Sequence, residues 1–257
     1  MAENQPQFPA EEVTLPSKGI LYSPDSPLSK GTIEMKYMTA REEDILTNPN
    51  FIKAGTVIDK LLNSLIITPN VDIDDLLTGD KNALMVAARV LGYGAEYEIK
   101  RLHPETNLAS EAIVDLSKVQ DVYLDEKLVC FILITPSGAT LPTSKTLITF
   151  KLITNKDEKL IEKEIEGMQK LSKVAPEGVI RMKHTILSVN GDYDKKTIRT
   201  FIDNNLLARD ARALRKYITD IQPGIDMNVN VEFKDGYVEE SVYMPIGINF
   251  FWPDAGV

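Results

Sequence analysis

Ser29–Leu46 reads SKGTIEMKYMTAREEDIL, and Ser144–Ile161 reads SKTLITFKLITNKDEKLI. The two align without a gap. Ser29/Ser144, Lys30/Lys145, Ile33/Ile148, Lys36/Lys151, Thr39/Thr154 and Glu43/Glu158 are identical, and Met35/Phe150, Glu42/Asp157 and Ile45/Leu160 are conservative. Each stretch spells a strand with alternating apolar residues, a threonine helix cap and an acidic first helical turn. The chain therefore reads as two copies of one structural unit. Further matches follow in the same order. Ile58, Leu61, Leu62 and Asn63 match Ile198, Phe201, Ile202 and Asp203, and Asp80-x-x-Ala83-Leu84 matches Asp210-x-x-Ala213-Leu214. The expected fold class is α+β, with two related lobes, each carrying β strands, a small helical bundle and a terminal β-hairpin. The expected division is a mobile N-terminal arm at 1–14, a first lobe at 15–119 and a second at 120–257.

Working outward, residues 1–14 hold little to bury. Leu15 to Gly31 is rich in turn formers, yet Leu15, Ile20, Leu21 and Tyr22 suit packing onto the body. A strand is expected at Thr32 to Tyr37, then a short helix opened by a Thr39/Glu42 capping box and stopped before Asn48-Pro49. A helix from about Lys53 to Ile66 shows an apolar stripe. Asp80 is expected to cap a third, largely buried helix that Gly92 and Gly94 end. Strands follow near Tyr97 to Arg101 and Ala112 to Leu116.

The second half repeats this order. Strands are expected at Leu128 to Ile134 and Thr146 to Leu152. Thr154 caps a helix through Leu171, with Leu160, Ile161, Ile165, Met168 and Leu171 facing inward. Met182 to Val189 reads as helix or strand. Helices are expected from Asp194 to Asn204 and from Ala208 to Ile218, and a hairpin turns at Asp235-Gly236.

The 257 residues carry a net charge of −9 with a pI near 4.9. That balance argues against general binding to nucleic acid or to an anionic membrane, both of which need a positive surface. The single cysteine, Cys130, permits no internal disulfide and lies in the apolar run LVCFILI, which suits a buried thiol. No apolar run reaches a membrane span, and the acidic start MAENQPQFPAEE has no signal-peptide pattern. Catalytic signatures are missing too. His103 and His184 are far apart in sequence, no glycine-rich phosphate loop occurs, and Asp72, Asp74 and Asp75 lack the glycine and glutamate of a calcium loop. The expectation is a non-enzyme with no cofactor and no metal.

Two features remain. From Lys195 to Tyr217 there are seven basic residues against two acidic ones, with Arg209, Arg212 and Lys216 on one helical face. This reads as a solvated face or as a contact for an acidic protein surface, with nucleic acid third because no aromatic ladder accompanies it. The end of the chain, PIGINFFWPDAGV, sets Phe250, Phe251 and Trp252 in a row. Consecutive rings on a strand point to opposite faces, so they need a second covering layer, from the second lobe or from a partner.

LPSKGILY with the following KYMTAREEDIL, then ARDARALRKYITDIQPGID, then the terminal FFWP, together resemble the baseplate hub subunit family of T-even-type contractile-tailed bacteriophages. The resemblance runs from about Leu15 to Pro253. It implies a structural or assembly protein of the tail baseplate hub, made in the bacterial cytoplasm, located in the virion, and acting by contacts with other baseplate proteins. It also implies hairpins like small zinc ribbons. This chain has HPETNL in the first hairpin region and KDGY in the second, without cysteine, so its version is metal-free. Candidate partner contacts are Leu15, Pro16, Lys18 and Tyr22, the Arg209, Arg212 and Lys216 face, and Phe250, Phe251 and Trp252. One alternative is an assembly chaperone for hub proteins that is absent from the mature virion. Another is a nucleic-acid-binding regulator using the basic segment 195–217.

Overall fold

The computed structural model describes residues 9–123, 138–171 and 175–251. Cys130 and the strand expected at 128–134 lie outside the described residues, as does Trp252. The protein is a mixed α/β structure of small antiparallel sheets and short helices. It divides into two compact units. One takes in everything up to Ile73, Gly79–Val122 and everything from Gly224 on. The other takes in Asp74–Thr78 and Tyr123–Pro223. The chain thus does not divide at 119/120, because its last segment returns to the first unit.

In the first unit, β1 (Ala10–Thr14) pairs with β2 (Thr32–Lys36). Residues expected in a mobile arm are therefore a sheet strand from Ala10 onward. Val13 sits opposite Ile33, and the side chain of Ile33 is buried. Helix α1 (Ala40–Leu46) follows. Pro49 does not simply end it. Asn48 caps a further short helix, α2 (Pro49–Lys53), by accepting the Asn50 and Phe51 amides, and proline is welcome in a first helical turn. Helix α3 (Val57–Leu65) buries Leu61, Leu62 and Leu65, and Ile66 just after it bridges Met35 of β2. Helix α4 (Thr78–Tyr93) is the buried helix of the unit, with Ala83, Leu84, Met85, Val86 and Ala88 in the core. It stops at Gly94, whose φ of +84° is left-handed. Gly92 stays inside the helix, its missing Cβ filled by Met38.

Strand β3 (Glu96–Leu102) and β4 (Ala109–Asp115) make a hairpin in continuous register. Short β5 (Gln120–Val122) pairs with β9 (Gly224–Asp226). The second hairpin, β10 (Asn228–Phe233) and β11 (Val238–Tyr243), does not close a second lobe. Its strand β10 pairs with β4, giving one sheet ordered β11-β10-β4-β3. The final aromatics form a 3-10 turn (Ile248–Phe250) rather than a strand.

In the second unit, β6 (Gly138–Thr140), β7 (Leu147–Phe150) and β8 (Ile186–Val189) form a three-stranded sheet. Helix α5 (Asn155–Lys170) buries only Ile161 of its expected inward stripe; Leu160 and Leu171 are exposed. The ambiguous stretch 182–189 is both things in turn. Helix α6 (Glu177–Thr185) ends, and β8 begins at the next residue. Helix α7 (Lys195–Asn204) opens at Asp194, whose carboxylate accepts the Thr197 amide at 2.9 Å, and α8 (Ala208–Ile221) follows. The helix that runs directly into a partner of the central strand is thus α3 in one unit and α6 in the other. The expected match of residues 58–63 with 198–203 of α7 gives way to that arrangement.

Candidate functional site

Each unit pins a loop to a buried aspartate in the first turn of one of its longer helices. In the first, Asp80 of α4 is fully buried. It does not cap the helix as expected, because the helix already begins at Thr78. Its carboxylate instead accepts the Ser17 amide at 2.9 Å and the Tyr22 hydroxyl at 2.6 Å. Burial pushes this carboxyl up, against the pull of Ser17 and Tyr22. In the second, Asp210 of α8 is also fully buried and accepts the Thr143 amide at 2.7 Å and the Ser144 amide at 2.9 Å. Burial works upward here as well, but these donors outweigh it and hold the carboxyl below the usual range.

A second pair of acids sits beside the central strands. Glu42 accepts the Thr39 amide at 2.9 Å, the Lys36 ammonium at 2.8 Å and the Ser64 hydroxyl at 2.7 Å. Burial raises its carboxyl, yet Lys36, Thr39 and Ser64 together bring it down to about 2. Asp157 accepts the Thr154 amide at 3.1 Å and the Lys151 ammonium at 2.6 Å, and those donors likewise overcome burial and lower it. Both boxes are therefore more than helix caps, since each ties the helix to a lysine at the end of the preceding strand or just past it.

These latches decide where several expected contact residues end up. Leu15 and Pro16 are buried beneath the Ser17–Asp80 link, and the Tyr22 hydroxyl is spent on Asp80. Of Leu15, Pro16, Lys18 and Tyr22, Lys18 alone is well exposed, at a left-handed φ of +51°. Phe250 and Phe251 are each 2% exposed, and Phe250 packs its ring 5.2 Å from that of Tyr97. Leu15, Pro16, Phe250 and Phe251 are thus buried residues and not a free contact surface.

The basic face is different. Asp210 fixes the first turn of α8 inward, Leu214 and Ile221 are buried, and Tyr217 meets the Phe150 ring edge-on at 5.9 Å. The opposite side is left to solvent, where Arg209, Arg212, Arg215 and Lys216 are exposed. Lys216 pairs with Asp220 of its own helix at 2.8 Å. Lys195, Lys196 and Arg199 of α7 are exposed in the same unit. The guanidinium forks suit carboxylates, which they can bind through two parallel hydrogen bonds.

One further cluster was not foreseen. His103 is 3% exposed, at the turn of the β3–β4 hairpin. Its Nδ1 accepts the Glu105 and Thr106 amides at 3.2 and 3.4 Å, and its ring lies 4.6 Å from Phe233 and 4.9 Å from Tyr237. Nε2 lies 3.1 Å from an Asp235 carboxylate oxygen, at an angle that makes no hydrogen bond. The two hairpin turns thus meet through an aromatic cluster and one acid. Sequence hinted at this only by placing a histidine in HPETNL and an aspartate in KDGY. Among the described residues, no group of three or more His, Cys, Asp or Glu side chains is placed to hold a metal ion.

No family model, no curated protein and no solved structure matches this chain.

Proposed function

We propose that this protein is a structural or assembly part of a contractile-tailed phage's baseplate hub, acting through protein–protein contacts. The observation that carries the reading is where the residues of the resemblance lie. LPSKGILY supplies the Ser17 and Tyr22 donors to Asp80, and KYMTAREEDIL supplies the Thr39–Glu42 box. ARDARALRKY supplies Asp210 together with the exposed arginines, and FF supplies core rings. The shared residues are those that set the fold, so likeness in them supports likeness in architecture.

The same latches support a body of two related lobes. Each unit has a Leu-Pro loop donating to an aspartate in the first turn of a helix, and a lysine where a strand ends bound to a capping-box acid. The joined turns around His103 and Asp235 support a ribbon-like hairpin pair that needs no zinc. The contact surface with the best physical case is the α8 face, Arg209, Arg212 and Arg215, facing an acidic patch on another baseplate protein.

Removing the coding sequence from the phage that carries it tests the proposal. Electron microscopy of the lysate is expected to show heads without assembled contractile tails. Normal tailed particles in normal numbers would refute it.

A further inference from the structure

One face of the sheet β11-β10-β4-β3 is only partly covered. Ile99 of β3, Val114 of β4, Val231 of β10 and Val242 of β11 line a cavity of about 540 Å³, together with Ile246, Asn249 and Phe250 of the chain that follows β11. Val114, Val231 and Phe250 are buried, whereas Ile99, Val242 and Ile246 are half-buried. Apolar side chains that line a cavity and still meet water lack a cover, and filling the cavity would remove that apolar surface from water.

The chain carries a cover to the place itself. The Met244 amide donates to the Met227 carbonyl at 2.9 Å, and the Phe250 amide donates to the Gly247 carbonyl at 3.1 Å. These bonds tie down the start of the stretch after β11 and close the 3-10 turn at its end. Phe251 is buried and is the last residue described, and Trp252 follows it about 3.8 Å further along the chain. Positions three apart lie on one side of a 3-10 turn, and Asn249, which lines the cavity, stands three residues before Trp252. A tryptophan gains most from such a place, since its ring system buries about 150–250 Å².

We infer that the indole of Trp252 fills this cavity in its own chain. Trp252 then joins Phe250 and Phe251 as cover for the sheet, and the aromatic triplet is an internal clamp and not a contact for other proteins. The choice of occupant follows from tethering. A side chain held within two residues of a cavity-lining residue competes at high effective concentration with any free partner. The residues that form the cavity's outer wall, Ile246 to Phe250, lead directly into Trp252. This inference does not rest on the hub reading.

Trp252 is the only tryptophan of the chain, so its fluorescence tests the inference in the whole protein. The native emission is expected at shorter wavelength than that of the urea-unfolded chain, with acrylamide quenching several-fold weaker, and both independent of protein concentration. Ile246→Glu sets a charge in the cavity wall, outside any strand, and is expected to move emission and quenching toward the unfolded values. Leu102→Glu, at an exposed position on the other face of β3, is expected to change neither. Circular dichroism shows whether each variant is folded. Nuclear Overhauser contacts between the indole and the methyl groups of Ile99, Val242 or Ile246 check the same seat without any substitution. Native emission like that of the unfolded chain overturns the inference. So does a protected indole that a folded Ile246→Glu leaves unmoved, or one without contact to those methyl groups. Protection that grows with protein concentration overturns it too, because the cavity is then filled by a second copy.

Discussion

Asp80 and Asp210 look interchangeable in sequence, and their chemistry separates them. Asp210 faces two backbone amides, which can only donate. Asp80 faces one amide and one hydroxyl, and a tyrosine hydroxyl can turn to accept. An asparagine at 210 would set its NH2 against an N–H and leave a buried donor unpaired. Asp210→Asn is therefore expected to cost about 2–3 kcal/mol. Asp80→Asn is expected to cost about 1 kcal/mol or less, because the Tyr22 hydroxyl can rotate. The sign of the ionisation agrees. The folded Asp80 carboxyl is raised, so its protonated form favours the fold. That contribution is complete below the unfolded value and is lost as pH rises through the folded one. A neutral asparagine resembles that favoured form. Denaturant melts of the two variants at neutral pH check the contrast, and equal losses would remove the basis for it.

Among the elements, those with a strong local signal were legible in the sequence. The Thr39 and Thr154 boxes mark α1 and α5, Asp194 marks α7, and Asp235-Gly236 marks the β10–β11 turn with Gly236 at a φ of +88°. What escaped was set by distant partners. Ala10–Thr14 is polar and acidic and has no strand pattern of its own; β2 makes it a strand. Phe250 and Phe251 were legible as large rings but not as a turn, because Tyr97 is far away in sequence. The expected inward stripe of α5 followed helical spacing, yet only Ile161 is buried, and periodicity cannot say how far a covering layer extends. The β1 result makes a prediction. Deleting the first 14 residues should destabilise the chain by about 2–4 kcal/mol, since it strips the backbone bonds from one side of β2 and uncovers Ile33. A thermal melt indistinguishable from that of the whole chain would return those residues to the status of a mobile arm.

At the scale of the whole molecule, the duplicated pattern named the right residues and the wrong partition. Lys36/Lys151, Thr39/Thr154, Glu42/Asp157 and Asp80/Asp210 all hold corresponding contacts within their own units. No local pattern could tell that the last hairpin pairs with β4, because sheet order is fixed by long-range pairing. The candidate contact surface was half legible. Charge periodicity finds the α8 face, whereas the N-terminal loop and the terminal rings, expected to be covered, still stand as candidate partner contacts because their buried partners, Asp80 and Tyr97, are remote in sequence. The exposed arginines, the latched units and the family resemblance are joined by one claim, that the chain is a part of the baseplate hub. Under the proposal a contractile-tailed phage encodes the chain, and quantitative mass spectrometry of that phage's purified particles is the decisive test. A hub component is expected at a few copies per particle, in fixed ratio to the known tail proteins. Absence from particles, with the protein abundant in the infected-cell lysate, would contradict a built-in part and leave a helper that departs before assembly is complete.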